Sequence, residues 1–225
     1  VHVLDNPVWH ALTGPQQKVA DLRSAAARYE PDVAAFSAVP DVPTDGTWGD
    51  LRDLVGVGGG AVLFMKPPNV PDGWQELFSL PTVQMVAATV EPAAAADAEL
   101  LGSDDVSDML ALVGRTHPGP FERRTIELGD YIGVRDSDGI LIAMAGVRMQ
   151  LPGYTEISAV CTDEAARGRG LASALVRDLC GRILDRGETP MLHVLASNTS
   201  AIRVYDQLGF TVRREQDVVG LRPPE

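Results

Sequence analysis

The sequence predicts a mixed α/β fold: a mostly antiparallel central sheet flanked by helices, with an extra α/β segment at its N-terminal side. Three observations predict it. From residue 82 the hydrophobic pattern runs strand, helix, three strands, helix, strand, helix, strands. The β-rich runs "TIELGDYIGVRD" (125–136) and "GILIAMAGVRMQL" (139–151) meet at the turn "DSDG", which signals a hairpin. Further on, strands alternate with amphipathic helices, and such crossovers join parallel neighbours in a sheet that carries helices on its faces.

In chain order, "QQKVADLRSAAARY" (16–29) reads as a helix and "WGDLRDLVG" (48–56) as a shorter one. "AVLFM" (61–65) reads as a buried strand stopped by "KPPNVPDG" (66–73), whose prolines remove ladder donors. "WQELFSL" (74–80) reads as a helical turn, and the β-branched "TVQMVAATV" (82–90) as a strand. A domain boundary is set just before that strand, dividing 1–81 from 82–225. "EPAAAADAEL" (91–100) serves as a linker or surface helix.

"SDDVSDMLALVGRT" (103–116) is a helix with Ser103 and Asp104 as cap candidates, broken by "THPGPF". "YTEISAVCT" (154–162) is a strand, followed by the amphipathic helix "GLASALVRDLCGRILDRG" ended by Gly187. Next come the strand "TPMLHVL" (189–195), the helix "TSAIRVYDQLG" stopped by Gly209, and a hairpin-like "FTVRREQDVVGLR" (210–222).

Composition narrows the function classes. The chain has 225 residues and a net charge of −12, which argues against broad nucleic-acid binding. Residues 1–99 hold 13 acidic and 5 basic residues, whereas 100–225 hold 18 and 14, and the basic residues of the second part are all arginine. Apolar runs reach nowhere near the roughly 18 residues of a membrane span. No basic region leads into an apolar core at the start, so no secretory signal is expected. Cys161 and Cys180 lack a CxxC spacing, which suits a reduced, cytoplasmic setting. His2, His10, His117 and His193 form no ligand pattern, so no metal is expected. "VGVGGG" (55–60) precedes a strand and so fails the dinucleotide fingerprint.

The informative stretch is "ARGRGLASALV", in which Arg167 to Gly170 join a strand to a helix. Read alone, "RGRG" is an arginine–glycine tract, a polar turn or a phosphate cradle. A helix N-terminus offers free amides and positive potential, and glycines let an anion approach them. The pattern R-x-x-G-x-A of Arg167, Gly170 and Ala172 resembles the acyl-CoA pyrophosphate loop of the GNAT superfamily of N-acetyltransferases. The preceding strand fits, as does the downstream "LHVLASNTSAIRVYDQLGF", which is similar to that superfamily's second signature. The resemblance covers about residues 82–215 and is nearest to the glycine-N-acyltransferase-like branch.

The resemblance implies acyl transfer from acetyl-CoA to a primary amine of a small molecule or amino acid, by direct attack and without a metal. It implies that Val160, Cys161 and Thr162 pair with pantetheine amides and that Arg167, Gly168, Arg169, Gly170, Leu171 and Ala172 hold the pyrophosphate. Asn198 would reach the pantetheine and would also suit an N-cap. Tyr205 matches the residue that protonates the leaving CoA thiolate, the alternative being a core tyrosine. Glu156 matches a general-base position, the alternative being a solvated or ion-paired strand carboxylate. Arg115, His117, Arg123 and Arg124 could receive an acceptor carboxylate or form a solvated loop. A homodimer is possible, and a non-catalytic acyl-CoA-binding module is the competing reading.

Overall fold

The computed structural model describes residues 2–64 and 70–224. The first part of the chain holds α1 (Pro7–Leu12) and a small antiparallel sheet of β1 (Ala20–Leu22), β2 (Ala27–Tyr29) and β3 (Ser37–Ala38). Helix α2 (Asp45–Val55) follows, and then β4 (Ala61–Leu63). The rest supplies β5 (Gln75–Ala87), β6 (Glu99–Leu101), α3 (Val106–Thr116), β7 (Tyr131–Arg135), β8 (Leu141–Leu151) and β9 (Tyr154–Thr162). It closes with α4 (Leu171–Asp185), β10 (Thr189–Leu195), α5 (Thr199–Gln207) and β11 (Phe210–Arg222).

The main sheet has eight strands in the order β4-β11-β5-β10-β9-β8-β7-β6. Every neighbouring pair is antiparallel except β10 and β9. Strand β8 is buried almost throughout because both of its faces are covered, which is why it reads as a near-continuous apolar run. Ala143, Ala145 and Val147 join the cluster under α4, and Met144 joins the one under α3. Helix α4 buries Leu175, Val176, Leu179, Cys180 and Ile183 against the sheet, a stripe at helical spacing. On the other face, Leu4, Val8, Leu12, Tyr29 and Phe36 of the N-terminal part pack with Met149, Met191 and Val218.

Three expectations are corrected. Residues 16–29 form a short 3-10 turn and the β1–β2 hairpin instead of a helix. All of "WQELFSL" after Trp74 is the first half of β5, whose partner along its whole length is β11. "FTVRREQDVVGLR" is that single long strand, with register shifts at Val212/Arg214 and Gly220/Leu221 in place of a hairpin turn. Of the linker and surface-helix readings of the stretch after β5, residues 91–98 fit the linker, since they contain no helix. The boundary drawn at residue 81 falls inside β5, and β4 shares the main sheet. The end of "AVLFM" and the first residues of "KPPNVPDG" lie outside the described residues. Among the described residues no helix is long and apolar enough to cross a membrane.

Candidate active site

The site begins where two parallel strands part. β10 and β9 pair only at Thr189↔Tyr154, Pro190↔Thr155 and Met191↔Glu156. Beyond that point β10 continues along β5 from Leu192 to Leu195, while β9 continues along β8 to Thr162. A wedge opens between them. In the same stretch the ladder steps from Ser158 to Cys161 on β9 against Gly146 to Met144 on β8, which is one extra residue. Ala159 takes up the excess at φ 51°, a left-handed conformation a side-chain-bearing residue adopts only under constraint.

A cavity of about 830 Å³ occupies this wedge, well within the range of small-molecule sites. Val160, Cys161 and Thr162 line it from β9, and Arg167, Gly168, Gly170, Leu171 and Ala172 from the loop and first turn of α4. Asn198 and Tyr205 line it from α5. Ten of the twelve residues singled out in the sequence thus meet around one cavity; Glu156 and Arg169 do not line it.

The loop before α4 is held at its root. Asp163 accepts from Arg115 Nε at 2.8 Å and from the Ala165 amide at 3.2 Å. These contacts, the Arg115 hydrogen bond foremost, hold its carboxyl below the usual range. Gly168 and Gly170 both sit at φ 77°, and a Cβ at either would meet nothing within 4 Å. The glycines are therefore required by backbone conformation, and the space beside them is open. Gly170 is the N-cap of α4 and no side chain caps that end, so its first amides face the loop without a capping acceptor. Exposed, unblocked amides beside Arg167 suit a phosphate group.

Burial alone pushes the Tyr205 phenol up to about 12, so it carries its proton at neutral pH. Its ring meets Phe210 edge-on, with centroids 6.0 Å apart. Asn198 Oδ1 accepts from the Ala201 amide at 3.2 Å and caps α5. Burial likewise raises the Cys161 thiol, which stays protonated.

Glu156 has different surroundings from those of a base waiting for a proton. It is fully buried and takes both Arg148 Nε at 2.8 Å and Arg148 Nη2 at 2.6 Å, a bidentate ion pair. Its Oε1 also lies 2.8 Å from His193 Nδ1. Burial would raise this carboxyl, but the Arg148 charge and the Arg148 and His193 hydrogen bonds outweigh it and hold it at about 2.

Gln84 fixes the histidine. Its Oε1 accepts from Arg213 Nη1 at 2.8 Å and its Nε2 donates to Leu4 O at 2.9 Å. With the amide so oriented, Nε2 also donates to His193 Nε2 at 3.0 Å, and the hydrogen-bond network assigns the imidazole proton to Nδ1, facing Glu156. A polar row thus crosses β11, β5, β10, β9 and β8 at the root of the wedge.

Arg148 and His193 were not singled out as site residues. The signal for Arg148 was one arginine inside the mostly apolar "LIAMAGVRMQL" of β8, a buried charge that must find a partner. Of the proposed carboxylate receivers, Arg115 is engaged by Asp163. Arg124 is engaged by Glu30, Asp32 and Glu127. Only His117, left-handed at φ 48° beyond the end of α3, lines the cavity.

Comparison with known proteins agrees with this fold. A family model described as FR47-like protein matches residues 131–219. A solved structure titled as a putative acetyltransferase from the GNAT family of Novosphingobium aromaticivorans is 37% identical. It superposes with a TM-score of 0.90 over 100% of both chains. Mycothiol acetyltransferase of Mycolicibacterium vanbaalenii is 33% identical over 90 residues, 37% of this chain and 30% of that protein. The Mycobacterium avium protein of the same name is 40% identical over 73 residues, 29% of this chain and 23% of its own length. The chain therefore aligns with less than a third of these curated relatives.

Proposed function

Since the chain belongs to the GNAT family of acetyltransferases, we propose that it moves an acetyl group from acetyl-CoA to a primary amine by direct attack in a ternary complex. The observation that carries this reading is the wedge between β9 and β10, with an uncapped helix N-terminus at one side and Tyr205 within the same cavity. Bound acetyl-CoA would supply a thioester carbonyl, whose carbon–sulfur bond breaks as the amine nitrogen bonds to carbon.

The amides from Arg167 to Ala172, with the Arg167 side chain, would hold the pyrophosphate. The exposed edge of β9 at Val160 to Thr162 would receive the pantetheine amides as an added strand. The bulge at Ala159 re-aims the backbone there, which favours an amide turned toward the thioester oxygen. Tyr205 donates a hydrogen bond to the departing thiolate. With the phenol at about 12 and a thiol near 8.5, donation without full transfer is the favoured arrangement.

Glu156 serves in this reading as the anchor of Arg148 and His193. A carboxylate held at about 2 is a weak base, so the amine proton leaves through water. The test is release of free thiol from acetyl-CoA across a panel of amines. Amine-dependent release supports the reading, and acetyl-CoA binding with no turnover on any amine would favour a non-catalytic module.

A further inference from the structure

The cavity crosses the sheet. Its Leu171 and Tyr205 side belongs to the cluster under α4, whereas Phe36, Phe64 and Val218 belong to the cluster on the opposite face. On that second face we propose an acceptor subsite for an apolar, ring-bearing primary amine that carries no other charge and offers a carbonyl or amide oxygen to Arg148. This deepens the acetyl-transfer reading and rests on it for the identity of the donor.

Four observations carry the proposal. Phe36, Val62, Phe64, Phe78, Leu80 and Val218 form an apolar wall. Phe78 and Leu80 remain 38% and 43% exposed, so large apolar side chains stand open at its rim. Arg148 lines the same wall with its guanidinium between Phe36 and Phe64, 4.8 and 5.3 Å from the ring centroids. Its side chain is 10% exposed, Nε and Nη2 are taken by Glu156, and Nη1 has no hydrogen-bond partner among the described residues. An arginine N–H that no described group takes, on a side chain lining the cavity, can donate to an acceptor on the ligand.

The fourth observation is charge. The chain has 31 acidic residues, yet among the described residues no Asp or Glu lines the cavity. Glu156, next to Arg148, is already shared between Arg148 and His193. A second positive charge on the acceptor would find no counter-ion, which excludes polyamines despite the acidic surface. A free carboxylate would meet an arginine whose charge Glu156 already balances, so a neutral oxygen is the better match. Apolar walls also favour the neutral amine, the form that attacks. The N-terminal part of the chain thereby gains a role, since Phe36, Val62 and Phe64 are its contribution to the site.

The test compares phenylalaninamide, phenethylamine, phenylalanine, spermidine and glucosamine as acceptors in thiol release from acetyl-CoA. Each is also titrated calorimetrically into the free and the CoA-saturated protein. The expected order places phenylalaninamide about 10-fold above phenethylamine in kcat/KM, with phenylalanine, spermidine and glucosamine about 100-fold below phenylalaninamide. Phe78→Ala is expected to raise KM for phenylalaninamide about 10-fold and to leave CoA affinity unchanged. Equal or better use of spermidine or glucosamine overturns the proposal. So does failure of phenylalaninamide to bind a protein that binds CoA. If CoA itself does not bind, the donor assignment fails, and phenylalaninamide binding to the free protein still decides the apolar subsite.

Discussion

His193 Nδ1 and Glu156 Oε1 lie 2.8 Å apart across the point where β9 and β10 part, Glu156 on their last shared rung and His193 two residues beyond it. One side chain comes from each of the two strands that separate above it, and Arg148 on β8 locks the carboxylate from the far side. The wedge is therefore closed at its root by a buried hydrogen bond to an ion-paired carboxylate as well as by backbone pairing. Several consequences are measurable.

Glu156→Gln leaves Arg148 charged and buried without its counter-ion, which costs roughly 3–5 kcal/mol. Calorimetric melting at pH 7 should show a fall in Tm of roughly 10 °C. Because the carboxyl is lowered in the folded state, its contribution is fully present above its unfolded value and is lost as pH falls from about 4.5 to about 2. The wild type should lose roughly 3 kcal/mol over that window, and the variant should lose much less there. A Tm at pH 7 equal to that of the wild type would contradict the pairing. In the folded fraction of the variant, the shape of the kcat/KM profile from about pH 6 to 9 should match the wild type. Disappearance of an acidic limb would instead identify Glu156 as the base.

Tyr205→Phe removes the proposed donor to the leaving thiolate while keeping the ring against Phe210. kcat should fall about 100-fold with CoA affinity unchanged. Since burial raises the phenol to about 12, it stays protonated as pH rises, and the wild-type rate should show no loss below about pH 11 that Tyr205→Phe abolishes. Stopped-flow thiol detection across pH 7 to 10 checks this, and an alkaline limb near pH 9 that vanishes in the variant would contradict it.

Gly170→Ala tests the loop. The residue sits at φ 77° with open space around its Cβ position, so the penalty is conformational and of about 1–2 kcal/mol. Gly170→Asn should recover part of that stability, because asparagine tolerates left-handed backbone. Both variants should bind CoA more weakly than the wild type by calorimetry. Equal melting temperatures for the alanine and asparagine variants would show that backbone conformation is not what the glycine supplies.

Gly209→Ala has a different cause. There a Cβ would stand 2.7 Å from the Thr89 carbonyl carbon and 2.8 Å from Val90 N, where the chain leaving α5 crosses the end of β5. Neither backbone can yield cheaply, and φ is 95° besides. The expected loss is about 3 kcal/mol or more, read as a shifted midpoint in urea. A midpoint within about 0.2 M of the wild type would contradict the close approach.

Much of this site was legible because its parts are local. "YTEISAVCT" and "TPMLHVL" are β9 and β10 residue for residue, and the glycines at 168, 170 and 209 each answer a backbone need within a few positions. The misread segments depend on distant partners. "WQELFSL" carries good helix formers but pairs with β11 some 140 positions away, and that pairing overrides local preference. The acceptor wall was illegible for the same reason. Phe36, Phe64 and Phe78 come from three separate segments, and only the assembled fold brings them to the cavity that Arg148 lines. Glu156 was found by position and its ion-paired alternative is the one the geometry shows, but its partners stand on β8 and β10, so its sequence neighbours did not name them.

The most direct measurement is calorimetric titration of acetyl-CoA into the full chain. One site per chain is expected, weakened in Gly170→Ala and unchanged in Tyr205→Phe. Absence of any acetyl-CoA binding to the folded wild type would contradict the assignment of the β9–β10 wedge as a donor site.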